Sequence, residues 1–150
     1  MENLSFSEIL ESDRKRIEKA TMVAEKIRAT GNYKWVGIYD VTEWEISIIS
    51  YSGRSEPAFT SFPRDKGLNG RAVLKKQTII VNDTDKDEDY LLTFTNTKSE
   101  IIVPVFAADG NTINGTIDAE GEVKNAFSKE DADFLEQCAI AIRSLWNKNN

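Results

Sequence analysis

Tyr33-Lys34-Trp35-Val36-Gly37-Ile38-Tyr39 marks the place where the chain changes from helix to sheet. Aromatic and β-branched residues follow one another there, which is typical of a β-strand. Alternate side chains of a strand point to opposite faces, so Trp35, Gly37 and Tyr39 share one face. The residues before this stretch have apolar side chains at helical spacing, and Gly31-Asn32 is a typical helix end.

The rest of the chain predicts a helix at each end and a sheet between them. One amphipathic helix is predicted over about residues 5–29, with Ser5 and Glu8 at capping-box spacing, and another over about residues 128–147, where Ser128 and Asp131 have the same spacing. The part between, about residues 33–127, is predicted to hold strands at 33–39, 45–51, 58–62, 78–81, 100–107 and 111–120, with a short helix after the glycine turn at 66–70. This order predicts an α+β fold: a mostly antiparallel sheet of about six strands with the N- and C-terminal helices packed on one face. The 150 residues are expected to form a single domain, 1–150.

Charge and hydropathy exclude several classes of partner. The chain has 19 basic and 25 acidic residues, a net charge of −6 at pH 7. Nucleic acid and anionic membrane surfaces need a basic face, so neither is expected as a partner. No apolar run reaches about 18 residues, and Met1–Leu10 lacks the basic residues of a signal peptide. A cytoplasmic location is therefore expected.

Histidine and cysteine counts exclude further chemistry. The chain has no histidine and one cysteine, Cys138. Triads that use histidine, histidine-ligated metals and disulfides within one chain are excluded, and no metal site is expected. Cys138 lies on the apolar stripe of the C-terminal helix and is interpreted as a small buried hydrophobic residue rather than a reactive thiol. The acidic run 83–89 departs from a calcium loop at its glycine and glutamate positions and is interpreted as a solvated loop.

Three acidic residues stand at the ends of two predicted strands. Glu100 begins one strand, and Asp118 and Glu120 end the next, two residues apart and therefore on one face. The Asp109-Gly110 hairpin between the strands would bring all three to one rim of the sheet. Gathered carboxylates raise one another's pKa unless a cation joins them. The alternative is three exposed acids at strand ends, and periodicity alone does not decide between the two.

Taken together, the motifs resemble those of GAF domains, over about residues 34–144. Within that superfamily the chain is most similar to the stand-alone free methionine-R-sulfoxide reductases. The motifs that carry the resemblance are Trp35-Val36-Gly37-Ile38-Tyr39, Lys66-Gly67-Leu68-Asn69-Gly70-Arg71-Ala72, Val81-Asn82-Asp83, Ser99-Glu100-Ile101-Ile102-Val103-Pro104-Val105, Gly115-Thr116-Ile117-Asp118-Ala119-Glu120 and Phe127-Ser128-Lys129-Glu130-Asp131.

The resemblance implies a ligand pocket made of two aromatic and three acidic side chains. These would be Trp35, Tyr39, Glu100, Asp118 and, as a conservative replacement, Glu120. The carboxylates would hold an ammonium group of the ligand, while the aromatic rings would line its side chain and offer a cation–π face.

The cysteines on which the reductases depend are absent from this chain. Phe59, Asn69 and Thr93 stand where the resemblance places them. A sulfoxide is reduced by thiolate attack and then resolved as a disulfide, which a threonine hydroxyl cannot do. The residues that the resemblance assigns to the pocket are therefore present, whereas the catalytic cysteines are absent. No catalytic residue and no cofactor are expected.

Three functions stay open at this point. The first is a binding module for an ammonium-bearing small molecule, such as a free amino acid or a methionine-like metabolite. The second is a divergent reductase that uses Cys138 with an external thiol. The third, compatible with the first, is a homodimerisation unit formed through the terminal helices, because Phe6, Ile9, Leu10 and Leu145-Trp146 are apolar beyond what the core needs.

Overall fold

The computed structural model describes residues 4–91 and 96–147. The helices are α1 (Ser7–Leu10), α2 (Arg16–Gly31), α3 (Gly67–Lys75) and α4 (Lys129–Ala141); the strands are β1 (Trp35–Val41), β2 (Glu45–Gly53), β3 (Ser61–Pro63), β4 (Ile79–Val81), β5 (Ser99–Phe106) and β6 (Ile113–Gly121). Single 3-10 turns lie at Thr84–Lys86 and Arg143–Trp146.

The six strands form one antiparallel sheet in the order β3-β2-β1-β6-β5-β4. The α2 helix packs on β1 and β2, and α4 packs on β5 and β6. Between the sheet and these helices lies the main core, here called the helix-side core, which includes Val36, Ile38, Ile101, Ile117 and Leu135. The predicted α+β fold, with helices from both ends of the chain on one face, is confirmed.

The opposite face of the sheet carries α3. Its apolar residues Leu68 and Ala72 pack against Val81 and Ile102, which point away from the helix-side core. The helix begins at Gly67, whose φ of +71° suits glycine. The face covered by α3 is also the one to which Trp35 and Tyr39 belong, so this layer positions the candidate site.

The prediction of one continuous N-terminal helix over about residues 5–29 is wrong. The chain turns after α1, where the Ser12 hydroxyl donates to the Ile9 carbonyl at 2.7 Å and competes with helix continuation. The Ser5–Glu8 capping box does not form, because Phe6 holds the N-cap position. The turn folds α1 back onto α2 and buries Phe6 in the helix-side core. The free energy gained by burying the Phe6 ring outweighs the local preference for a continuous helix.

The C-terminal helix begins as predicted and ends earlier. Ser128 and Asp131 form both bonds of the capping box. The α-helical part ends at Ala141 rather than near residue 147, and a 3-10 turn follows. Trp146 in this turn donates from Nε1 to Asp40 at 2.8 Å, and this bond ties the turn to the end of β1.

No helix among residues 4–91 and 96–147 is both long and apolar enough to span a bilayer.

Candidate functional site

Three buried carboxylates meet on the α3 side of the sheet. Glu100 lies directly opposite Glu120 in the β5–β6 pair, and Asp118 is two residues before Glu120 on the same face. One carboxylate oxygen from each residue lies within 4.8 Å of the others. The side chains are only 3%, 2% and 2% exposed, so the alternative of three exposed acids is wrong. Glu100, Asp118 and Glu120 are called the acidic cluster below.

Hydrogen bonds satisfy some of the carboxylate oxygens of the cluster and leave others without a partner. Asn69 donates from Nδ2 to Asp118 Oδ2 at 3.0 Å, and Thr97 donates from Oγ1 to Glu120 Oε1 at 2.8 Å. Within the described residues, Asp118 Oδ1 and Glu120 Oε2 are buried without a hydrogen-bond partner. An unmet buried acceptor costs about 1–3 kcal/mol. Two buried oxygens of the cluster therefore lack hydrogen-bond donors within the described residues.

The electrostatics of the cluster favour a cation. Burial raises the pKa of Asp118 from 3.8 to about 6, while hydrogen bonds from Glu100 and Asn69 oppose the rise. Burial and the charge of Asp118 hold the pKa values of Glu100 and Glu120 well above their usual range. None of the ion pairs formed within residues 4–91 and 96–147 involves these acids. An approaching cation would stabilise the charged forms.

Two aromatic side chains of β1 lie beside the cluster. Trp35 is paired with Glu120 across the sheet, and the ring centroids of Trp35 and Tyr39 are 6.5 Å apart. Gly37 lies between them, opposite Asp118, and a Cβ there would come within 2.4 Å of the Trp35 ring and 2.9 Å of the Tyr39 ring. The absence of a side chain at position 37 thus lets both rings lie over the strand.

Members of the cluster line two spaces of different size. One is a cavity of about 20 Å³ that Asp118 and Glu100 line together with Tyr39, Leu68 and Leu91. It has room for little more than a water molecule. The other is a groove of about 580 Å³ that includes Glu120 and Trp35 in its lining. Its volume is in the range of small-molecule sites.

The positions that the resemblance assigns to cysteines have other roles here. Phe59 lines the small cavity and is 46% exposed, Asn69 is buried against Asp118, and Thr93 lies outside the described residues. Cys138 lies in the helix-side core, across the sheet from the cluster. Burial raises the pKa of its thiol to about 12, so it is un-ionised near pH 7. Its interpretation as a buried hydrophobic residue is confirmed.

Sequence reasoning missed the residues that support the cluster. Asn69, Thr97 and Thr116 are each buried, and Thr116 donates to Asn69 Oδ1 at 2.5 Å. In the acidic loop, Asp87 and Asp89 pair with Arg71 of α3, so part of that loop is tied to the site layer rather than solvated. Of these residues, only Asn69 could have been found from the sequence, because it lies inside the glycine turn.

The fold and the comparisons agree on the class of protein. The sequence model of the GAF domain matches residues 16–144, and the chain belongs to the GAF domain family. It is 29% identical over 130 residues to GAF domain-containing protein A of Dictyostelium discoideum, covering 86% of this chain and 80% of that protein.

Reductases of free methionine sulfoxide are among the similar proteins. The chain is 35% identical over 110 residues to the free methionine-R-sulfoxide reductase of Saccharomyces cerevisiae, a stretch that covers 72% of this chain and 60% of that enzyme. The fold is also that of the free methionine-R-sulfoxide reductase of Neisseria meningitidis, solved with its substrate, at a TM-score of 0.83 and 24% identity over 94% of this chain and 83% of that one. The chain is thus a GAF domain homologous to these reductases.

Proposed function

We propose that this GAF domain binds a small molecule through an ammonium group, as a free amino acid or methionine-like metabolite would, and does so without thiol redox catalysis. The observation that carries the proposal is the acidic cluster, in which Asp118 Oδ1 and Glu120 Oε2 are buried and have no partner among the described residues. An ammonium group supplies three donors and one positive charge. It would meet both needs of the cluster at once.

The aromatic residues support the same kind of ligand. Trp35 and Tyr39 are nearly fully buried and stand on the strand next to the acids. Aromatic rings attract cations through their faces and also pack against apolar side chains. A ligand with an ammonium group and a short apolar side chain fits this combination.

The lack of redox catalysis is proposed from the position of the thiol. Cys138 is buried on the far side of the sheet, and its raised pKa keeps it from forming the thiolate that attacks a sulfoxide. The competing proposal, a divergent reductase, draws its support from the reductases among the similar proteins. Thiol-dependent turnover of methionine R-sulfoxide that is lost in Cys138→Ala would favour the reductase.

A thermal titration tests the binding proposal. The purified protein, treated with a chelator, is heated with each free amino acid and with both methionine sulfoxide epimers. A ligand at about 100 times its Kd adds about 2.7 kcal/mol of stability, which raises the melting temperature. We expect a specific rise with at least one of these compounds. A flat response across the panel contradicts the proposal.

Matched variants show whether the acidic cluster is responsible. Glu100→Gln combined with Asp118→Asn is expected to abolish the ligand-dependent rise, whereas Asp133→Asn, an exposed acid of α4, should leave it unchanged. Carboxylate oxygens at this spacing are also possible ligands of a divalent cation. A rise caused by Mg²⁺ or Ca²⁺ alone, and by no amine, would favour a metal site instead.

Homodimerisation through the terminal helices is a compatible proposal, but the sequence indicated the wrong residues for it, because Phe6, Ile9 and Leu145 are buried in the helix-side core. Ile140 on α4 is 52% exposed, and grooves of about 340 and 360 Å³ both include it in their lining. An exposed apolar residue between two grooves fits a self-association surface. Sedimentation of the wild type should show a dimer that Ile140→Glu dissociates, and a wild-type monomer at high concentration would contradict the proposal.

A further inference from the structure

Two highly exposed apolar side chains line one groove far from the acidic cluster in the sequence. Trp44, in the turn between β1 and β2, is 78% exposed, and Leu74 of α3 is 80% exposed. Among the described residues no other large hydrophobic side chain is as exposed as these two. Both line a groove of about 550 Å³. Exposed apolar side chains that lie together, rather than singly, are typical of an interaction surface.

The backbone around Trp44 is held in place although its side chain is exposed. The Trp44 N–H donates to the Thr42 hydroxyl at 3.3 Å, and the Trp44 carbonyl accepts from the Arg64 N–H at 3.1 Å. Arg64 also donates from Nη1 to the Thr42 carbonyl at 3.1 Å. A side chain on a fixed backbone loses less entropy when a partner covers it. Trp44 is therefore suited to be an anchor of a protein–protein contact.

This groove continues towards α4 through Lys76. Lys76 lines it and also lines the groove of about 360 Å³ that includes Ile140. The two grooves therefore form one surface that runs from the β1–β2 turn, past the end of α3, to the end of α4. It is called the extended surface below and is defined by Glu43, Trp44, Leu74, Lys76, Ile140 and Arg143.

The α4 helix alone offers little apolar surface to a second copy. In the part of the chain that the structure describes, Ile140 is the one exposed large hydrophobic residue of α4. A stable interface buries about 800 Å² on each partner and has an apolar centre. Trp44 and Leu74 supply the apolar side chains that α4 lacks.

The two ends of the extended surface carry opposite charges. Glu43 stands at the Trp44 end and Arg143 at the Ile140 end, and both are exposed. Neither forms an ion pair within residues 4–91 and 96–147. A two-fold axis makes the same surface face itself in the opposite direction, so Glu43 would meet the partner's Arg143. The surface is thus complementary in charge to a second copy of itself.

The charges between the two ends are balanced as well. The two grooves hold two further cations and two further acids: Arg64, Lys76, Asp65 and Glu136. The chain as a whole has a net charge of −6, so two copies repel each other through most other faces. A surface without net charge is where that repulsion is smallest.

We propose that a second copy of this chain covers the extended surface, so that the homodimer is formed by the β1–β2 turn and α3 as well as by α4. This rests on the homodimerisation proposed above and is independent of the ammonium site. Trp44 packs on the partner's Ile140, and Glu43 pairs with the partner's Arg143. Two-fold symmetry repeats both contacts on the other side of the axis.

Truncation of Trp44 tests the apolar part of the contact. Trp44→Ala is expected to raise the Kd of the dimer by at least about thirtyfold in sedimentation equilibrium, the usual effect of truncating an interface tryptophan. Val123→Ala, at an exposed hydrophobic residue outside both grooves, should leave the Kd unchanged. Because the Trp44 side chain is exposed, its truncation is not expected to unfold the protein.

Charge reversal tests the orientation of the two copies. Glu43→Arg and Arg143→Glu, made separately, each place like charges opposite one another twice in the dimer and should raise its Kd by at least about tenfold. The two substitutions combined in one chain should restore the wild-type Kd, because the pair is reversed but kept. Glu122→Arg and Lys34→Glu, exposed at the other end of the sheet, where β6 ends and β1 begins, are the controls and should change nothing.

Failure of this proposal can be told apart from failure of the α4 contact. If Ile140→Glu dissociates the dimer but Trp44→Ala does not, the α4 contact stands and the extended surface is wrong. If the charge reversals weaken the dimer separately and the double variant does not recover, Glu43 and Arg143 do not face each other and the proposed orientation is overturned. A wild-type monomer at high concentration contradicts both proposals.

Discussion

Asn69 of α3 donates a hydrogen bond from Nδ2 to Oδ2 of Asp118 in β6, at 3.0 Å, across 49 residues of sequence. Its other amide atom, Oδ1, accepts from the Thr116 hydroxyl at 2.5 Å, so the side chain has one orientation that satisfies both neighbours. This bond favours the ionised form of Asp118 and opposes the effect of burial on its pKa. Asn69 therefore acts on the charge of the acidic cluster.

Asn69→Ala is expected to raise the pKa of Asp118 and to weaken ammonium binding near pH 7 by about tenfold, the usual effect of losing a hydrogen bond to a charged group. Calorimetric titrations across pH 5–9 should show the affinity midpoint displaced to higher pH. Thr116→Val, which keeps the amide donor, is the control and should displace the midpoint less. An unchanged midpoint in Asn69→Ala would mean that Asn69 has only a packing role.

The acidic cluster should make the unliganded protein less stable as the pH rises. An acid whose pKa is raised by folding favours the folded state only while it is protonated. For Asp118, with a pKa of 3.8 raised to about 6, the free energy of unfolding falls by about 3 kcal/mol between about pH 4 and 6. Glu100 and Glu120, whose pKa values are also raised, extend the loss to higher pH.

Urea denaturation at a series of pH values measures this dependence. Glu120→Gln should flatten the profile and raise stability at pH 8 while abolishing ligand binding, because it removes a buried charge that only the ligand needs. Asp133→Asn, at an exposed position on α4 outside the groove, is the control. A wild-type stability that rises from pH 5 to pH 8 would show that the acids are stabilised by something other than a ligand.

The sequence predicted the acidic cluster but not the residues that hydrogen-bond to it, and the difference has a physical reason. Strand periodicity places Asp118 and Glu120 on one face, and the Asp109-Gly110 hairpin brings Glu100 beside them, so local rules suffice. No local rule brings Asn69 onto Asp118, because their contact depends on how α3 packs across the sheet. The break after α1 was missed for the same reason: it depends on burial of Phe6, which is a tertiary effect.

Ligand binding should depend on pH in the opposite direction to stability. An ammonium group binds best to ionised carboxylates, so affinity should increase as the pH rises through about 6, the pKa of Asp118. Binding at pH 6 should release protons, which calorimetry detects as an observed enthalpy that changes with the ionisation enthalpy of the buffer. Affinity that instead increases as the pH falls would indicate that protonated acids donate to an acceptor of the ligand, such as a sulfoxide oxygen.

Gly37→Ala should disrupt the site through the aromatic rings rather than through the acids. The added Cβ would lie 2.4 Å from the Trp35 ring and 2.9 Å from the Tyr39 ring, so both rings must move. Overpacking of this kind costs about 1–3 kcal/mol, and ligand binding should be lost because Trp35 also lines the groove at Glu120.

Gly110→Ala is the matched control: its Cβ has no neighbour within 4 Å, but its φ of +69° makes alanine unfavourable by about 1–2 kcal/mol. Denaturation measures the loss of stability in both variants, and calorimetry measures their ligand binding. If both variants are destabilised equally but only Gly37→Ala loses binding, the loss of binding is caused by displacement of the Trp35 and Tyr39 rings. Retention of full affinity in Gly37→Ala would show that Trp35 and Tyr39 do not form part of the binding site.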